Sequence, residues 1–319
     1  MVLNYDKVQK DPSQEEIELI LRLFNSKKLT DAKQEVDNKI IKYPNSFILF
    51  NILGAILSEQ KQLDEAIENY KKSIKINPSY AEGYNNLGVA LHKLDRLEEA
   101  SDTYKKAIGL KSEFAEAFNN LGNVTCDLNR PKDALQYFEK AIKINSSFAM
   151  AYYNLGATYQ DLENYEKALD YFKIAIKIQP DYAAVYNNMG MIFSNLKKFD
   201  ESLSSYNQAI KINPSYAKAY NNLANLLSDL RRYDEASAAY HQAIKIKPDY
   251  AVAYSNLLFN LNYKTDFDPD EYLLEAKKFR LNCQPKKNLS FQYQYETKPT
   301  KLRLGLVSAD FGNHPGGYF

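Results

Sequence analysis

Tryptophan is absent from this 319-residue chain, and cysteine and histidine are scarce. The two cysteines, Cys126 and Cys283, are far apart and show no C-x-x-C spacing. That excludes a disulfide framework and a redox or zinc motif, and it fits a reducing compartment. Charge of one sign is also missing: 41 Lys and Arg face 40 Asp and Glu, a net charge of +1. Such a balance gives no field to draw in nucleic acid or an anionic membrane surface. No apolar run reaches the roughly 18 residues of a membrane span. The opening stretch MVLNYDKVQKDPSQEE has no apolar core of a secretory signal. The expected location is the cytoplasm. What the chain does have is 45% hydrophobic residues, enough for a sizeable core, and 26 tyrosines.

The tyrosines lead to a period. YNNLG at Tyr84 recurs as FNNLG at Phe118, YYNLG at Tyr152, YNNMG at Tyr186 and YNNLA at Tyr220, each 34 residues after the last. With Phe47 as position 1, units begin at Phe47, Ala81, Ala115, Ala149, Ala183 and Ala217. Position 8 is small (Gly54, Gly88, Gly122, Gly156, Gly190, Ala224), and so are positions 20 and 27, as in Ala100 and Ala107. Position 24 is aromatic: Tyr70, Tyr104, Phe138, Phe172, Tyr206 and Tyr240. Position 32 is proline in four units and serine in two. Small residues let two helices approach, the aromatic fills the space between them, and proline stops the second helix. The period and pattern resemble the tetratricopeptide repeat, a helix–turn–helix unit. One unit cannot bury its apolar face alone, so the units stack. The expected fold is all-α: a right-handed superhelical solenoid with a C-terminal transition helix and one orphan β-strand.

The expected organisation is an N-terminal tail (1–12), a divergent capping repeat (13–46), six repeats (47–250) and a partial repeat helix (251–263). A transition helix (264–283), a linker (284–301) and a final segment (302–319) follow. The capping repeat keeps Ala32 and Pro44 but has Val36 where the aromatic belongs. Second helices open with acids such as Glu98 and Glu99 and close with lysines such as Lys143. That complements the helix dipole and is not a nucleic-acid stripe. His92 and Cys126 share position 12 of adjacent repeats. Neighbouring helices about 8–10 Å apart hold them too far apart for one zinc ion. No metal site and no cofactor are expected.

Position 6 is asparagine in five successive units and in the partial repeat: Asn86, Asn120, Asn154, Asn188, Asn222 and Asn256. Asparagine is a mediocre helix former, so a mid-helix column needs a reason. On the concave wall of a solenoid, a ladder of side-chain amides offers a donor and an acceptor at each step. That suits the backbone of an extended peptide and gives sequence-tolerant client binding. The other reading is structural, with the amides bridging neighbouring helices.

After Tyr263 the period stops. DFDPDEYLLEAKKFRLNC reads as a new helix with Asp268 as N-cap and Pro269 at its first position. Leu273, Leu274 and Phe279 are expected to pack it on the end of the solenoid. LRLGLVSADFGNHPGGYF, Leu302 to Phe319, reads as a strand and a turn. Together with YSNLLFNLNY (Tyr254 to Tyr263) it resembles the junction of the O-linked N-acetylglucosamine transferase family, including bacterial SPINDLY-type members. There a superhelix leads into a two-Rossmann glycosyltransferase whose first strand precedes a D-F-x-x-H-P loop. Asp310, Phe311, His314 and Pro315 match that loop. The resemblance implies an active-site role for His314 and a nucleotide-sugar donor, UDP-N-acetylglucosamine or a relative.

Most of such a catalytic region is missing here, so this chain alone is expected to be inactive. One reading is the substrate-recognition arm of a truncated or split transferase, with protein clients on its concave face and a separate catalytic polypeptide as partner. The alternative is an independent, co-chaperone-like interaction scaffold with a vestigial tail. No nucleophile, carboxylate pair or metal cluster supports an enzyme of another class. Exposed apolar residues on convex faces would support a homodimer; neither nucleic acid nor membrane is expected as a partner.

Overall fold

The computed structural model describes residues 11–264 and 266–283. They form helices throughout, in antiparallel pairs. The capping pair is α1 (Gln14–Asn25) and α2 (Leu29–Lys42), followed by α3 (Phe47–Glu59) and α4 (Leu63–Ile76). Then come α5 (Ala81–Lys93), α6 (Leu97–Leu110), α7 (Ala115–Asp127) and α8 (Pro131–Ile144). Next are α9 (Ala149–Asp161), α10 (Tyr165–Ile178), α11 (Ala183–Asn195) and α12 (Phe199–Ile212). The array closes with α13 (Ala217–Asp229), α14 (Tyr233–Ile246), α15 (Ala251–Leu261) and α16 (Pro269–Cys283). The helices alternate at the period the sequence carries. The strand expected at 302–306, the linker and His314 lie outside the described residues. Among the described residues no helix is long and apolar enough to cross a membrane.

The packing logic within a unit is visible at Gly122. A Cβ built there would sit 2.5 Å from the ring of Phe138. The aromatic at position 24 therefore occupies the space that glycine at position 8 leaves. Ala134 and Ala141, at positions 20 and 27, are fully buried beneath the same crossing. Bulk at any of these sites would push the two helices apart, because protein interiors are close-packed.

The turn inside each unit has one backbone solution. Lys61, Asp95, Asn129, Glu163, Lys197 and Arg231, all at position 15, adopt positive φ between 58° and 64°. The N–H of Gln62 then bonds Leu57 O at 2.9 Å, and that of Lys61 bonds Ser58 O at 3.1 Å. This is a Schellman ending, which satisfies the last carbonyls of the first helix. No glycine occupies these sites; the chain uses polar residues and accepts the strain of a Cβ in the left-handed region.

First helices also touch the first helix of the next unit: α3 meets α5, α5 meets α7, and so on to α13 and α15. Among the described residues no comparable contact joins successive second helices. The first helices therefore line the inside of the curve, and the second helices form its outside.

Both ends are closed by altered units. At the start, Ser13 and Glu16 form a reciprocal capping box, and Ile20, Ala32 and Val36 join the core of the first full repeat. At the end, Asp268 Oδ1 accepts the N–H of Asp270 at 2.9 Å and caps α16. The helix packs through Tyr272, Phe279 and Cys283. The expectation for Leu273 and Leu274 is corrected: both are half-exposed. The packed stripe runs through Tyr272, Glu275, Phe279 and Cys283, the i, i+3, i+7, i+11 spacing of one helix face, with Glu275 buried and the other three partly buried. Glu275 is buried on that face, paired with Lys278 at 2.7 Å and 3.5 Å from His241.

Candidate functional site

The two adjacent asparagines of each YNNLG segment have different jobs. Position 5 points into the array: Asn85, Asn119, Asn187 and Asn221 are buried. Position 6 points along the inner wall and is half-buried at Asn86, Asn120, Asn154, Asn222 and Asn256. Five of the six position-6 amides donate to the position-5 oxygen of the preceding unit. Asn86 reaches Asn51 at 3.0 Å, Asn120 reaches Asn85 at 3.0 Å, and Asn154 reaches Asn119 at 2.9 Å. Asn222 reaches Asn187 at 3.0 Å, and Asn256 reaches both Asn221 at 3.2 Å and Asn225 at 3.0 Å. The fourth full unit has Tyr153 at position 5, and there the pattern changes: Asn188 is buried and accepts from its neighbour Asn187 at 3.3 Å. The amide groups of these five asparagines thus bridge repeats. The carbonyl oxygens of Asn86, Asn120, Asn154, Asn222 and Asn256 take no side-chain donor among the described residues. The column bridges neighbours and still presents acceptors to the groove.

Two cavities on the inner wall show what surrounds this column. The larger, about 370 Å³, is lined by Asn154 together with Asn123, Asp127, Ala157, Asp161 and Phe138. The second, about 170 Å³, is lined by Asn222 with Met191, Asn195, Asn225, Asp229 and Tyr206. These are the same repeat positions, 6, 9, 13 and 24, two units apart. The floor of each is the position-24 aromatic that locks the helix pair, so the fold and the groove share a residue. Positions 9 and 13 were missed by the sequence reading. Position 9 varies and gives no periodic signal; position 13 repeats an acidic or amide residue (Asp127, Asp161, Asn195, Asp229) that has no part in the packing pattern.

Electrostatics give the groove a mild acidic character. Asp127, Asp161 and Asp229 stand at position 13, and Lys218 approaches Asp161. Burial pushes the Asp161 carboxyl above its ordinary value, with Lys218 opposing that rise. Asp127 is engaged at 2.6 Å by His92 Nε2. The thiol of Cys126 lies against the hydroxyl of Thr158 at 3.5 Å, and burial pushes its pKa up. It is held as the neutral thiol, which is a poor nucleophile. Among the described residues no group of three His, Cys, Asp or Glu side chains is placed to hold a metal ion. The groove offers amides, carboxylates and apolar walls.

Comparison with known proteins bears on the fold. A family model described as TPR repeat matches residues 54–95 and 122–163. Two models described as tetratricopeptide repeat match residues 147–215 with 181–249, and residues 81–114. No curated protein matches the chain. Among solved structures, the APC/C hetero-tetramer Cut9–Hcn1 superposes with a TM-score of 0.66 at 17% identity, covering 76% of this chain and 48% of that one. This chain thus spans about half the length of that relative. A tetratricopeptide repeat protein from Parabacteroides merdae gives 0.64 at 18% identity, covering 78% and 98%. Pseudomonas aeruginosa pilF gives 0.57 at 21%, covering 64% and 93%. At these identities the likeness concerns the fold alone.

Proposed function

For a chain that belongs to the tetratricopeptide-repeat family, we propose that it is a scaffold holding extended segments of client protein along its inner groove. One observation carries this reading: the same four repeat positions line two cavities two units apart, each beside a ladder asparagine. A groove that repeats with the solenoid suits a ligand that repeats too, and the polypeptide backbone is such a ligand. Amide oxygens accept its N–H groups without reading its sequence. The test is titration with labelled 15-residue peptides of mixed composition. Ala157→Trp and Met191→Trp fill the two cavities and should each weaken binding several-fold without lowering the melting temperature. Unchanged affinity in both variants would remove the groove as the site.

We propose a finer assignment on the sequence resemblance: the scaffold is the substrate-recognition arm of an O-linked N-acetylglucosamine transferase-like enzyme. Its support is the match of Asp310, Phe311, His314 and Pro315, which lie outside the described residues. The matched family descriptions name the repeat and no transferase. An independent adaptor is equally consistent with the fold. The natural clients separate the two. Clients of a recognition arm carry O-linked sugar, readable by mass spectrometry of co-purified protein; those of an adaptor do not.

A further inference from the structure

The inner wall changes character at its C-terminal end. Position 13 is polar or charged in all six earlier units (Glu59, Lys93, Asp127, Asp161, Asn195 and Asp229), beside mixed residues at positions 2 and 9 such as Glu116 and Asn123, or Met150 and Ala157. In the last unit the same positions are Val252, Phe259 and Tyr263. They sit at i, i+7 and i+11, one face of α15 and its end. All three are open to solvent, at 55%, 61% and 53% exposure. The rings of Phe259 and Tyr263 are 5.0 Å apart, and Tyr263 stacks on Tyr233 at 5.9 Å, which fixes the platform to α14. The fold does not need this apolarity, because Ala253, Tyr254, Leu257 and Leu261 on the opposite face make the core contacts. Beside the platform Asn256 continues the ladder, and Asn225 and Asp229 of the preceding unit belong to the second cavity.

We propose that Val252, Phe259 and Tyr263 form an anchor site that seats one large apolar side chain of the extended polypeptide held in the groove. Its occupant is the client, argued from continuity: the platform occupies the groove's own register positions, one step beyond its last cavity. The anchor would supply what the ladder lacks, a preference for one residue class and hence a register for the bound segment. The inference rests on the reading of the groove as a polypeptide site.

Three 15-residue peptides of Gly, Ser and Asn test it, with a single Phe at the N-terminal end, at the C-terminal end, or with Ala at both. Binding is read by chemical-shift titration, which reports millimolar affinities. The wild type should bind one of the Phe peptides about tenfold or more tighter than the Ala peptide, the scale of one buried aromatic side chain. Phe259→Ser and Val252→Ser should each remove that preference and leave the Ala peptide bound as before. Both residues are exposed, so melting temperatures should not fall. Equal binding of all three peptides by the wild type, or a preference that survives both substitutions, overturns the anchor and leaves the groove standing. Failure of every peptide to bind overturns both. A concentration-dependent dimer abolished by Phe259→Ser would make a second copy the occupant and also overturn the proposal.

Discussion

The side-chain amide of Asn154 donates to Oδ1 of Asn119, 35 residues earlier, at 2.9 Å. Asn119 is almost wholly buried and Asn154 is half-exposed. The bond therefore ties the interior of one repeat to the groove wall of the next, and it recurs along the solenoid. Stability and binding meet in one column.

That relationship sets the first expectation. Asn119→Ala removes a buried hydrogen-bonding group and should cost about 1–2 kcal/mol, while Asn154→Ala, half in water, should cost about 0.5–1 kcal/mol. The two should not add: a double-mutant cycle in urea should return a coupling of about 0.5–1.5 kcal/mol. Strict additivity would show that the bond contributes nothing to the stacking of repeats.

Gly122→Ala tests the packing between positions 8 and 24. Alanine favours the helix by about 1 kcal/mol over glycine. Against this, the new Cβ would lie 2.5 Å from the Phe138 ring, and overpacking costs about 1–3 kcal/mol. The net expectation is a lower melting temperature, relieved in part by Phe138→Leu. The sixth unit shows the alternative arrangement: Ala224 replaces glycine there, and the Tyr240 hydroxyl donates to Asn225 at 2.7 Å.

Lys197→Gly tests the strained turn. Lys197 holds φ at 60°, where a Cβ costs about 1–2 kcal/mol. Glycine removes that cost but loses more freedom on folding, so a net gain of about 0.5–1 kcal/mol is expected. A melting temperature unchanged or lowered would mean that the lysine side chain compensates for its own strain.

Acid should loosen the N-terminal cap. The Lys39 ammonium, the Ser13 N–H and the Tyr43 hydroxyl hold Glu16 at about 2, against an ordinary 4.5. A carboxyl whose pKa is depressed in the fold contributes stability above its unfolded value. That contribution is lost as pH falls from 4.5 towards 2. Glu16→Gln should therefore be less stable than wild type at pH 7 and converge with it near pH 2. A gap that persists at pH 2 would assign the effect to packing instead of charge.

Much of this was legible beforehand because the repeat encodes it. Gly88, Ala100, Tyr104 and Ala107 recur with fixed spacing, and each has a single steric role, so the helix pairs follow from the letters. The ladder was half legible. Asn85 and Asn86 stand side by side in YNNLG, yet only their opposite exposures reveal one as anchor and the other as donor. Groove position 9 was illegible because Asn123, Ala157 and Met191 share no chemistry, and position 13, acidic at Asp127, Asp161 and Asp229, has no steric role in the pattern; stacking brings the two columns together. On α16, Leu273 and Leu274 are the obvious apolar pair, but the seat of Phe279 on Tyr254, with ring centroids 5.7 Å apart, sets the helix phase and turns them outward.

The central claim is that clients lie in the groove. A photo-reactive side chain in place of Asn123 or Asn225 on the inner wall, or of Ile174 on the outer helices, tests it directly with the mixed 15-residue peptides. Adducts at 123 and 225, competed by unlabelled peptide, and none at 174 are the expected result. Adducts at 174 alone, or equal labelling of both faces, would contradict the account.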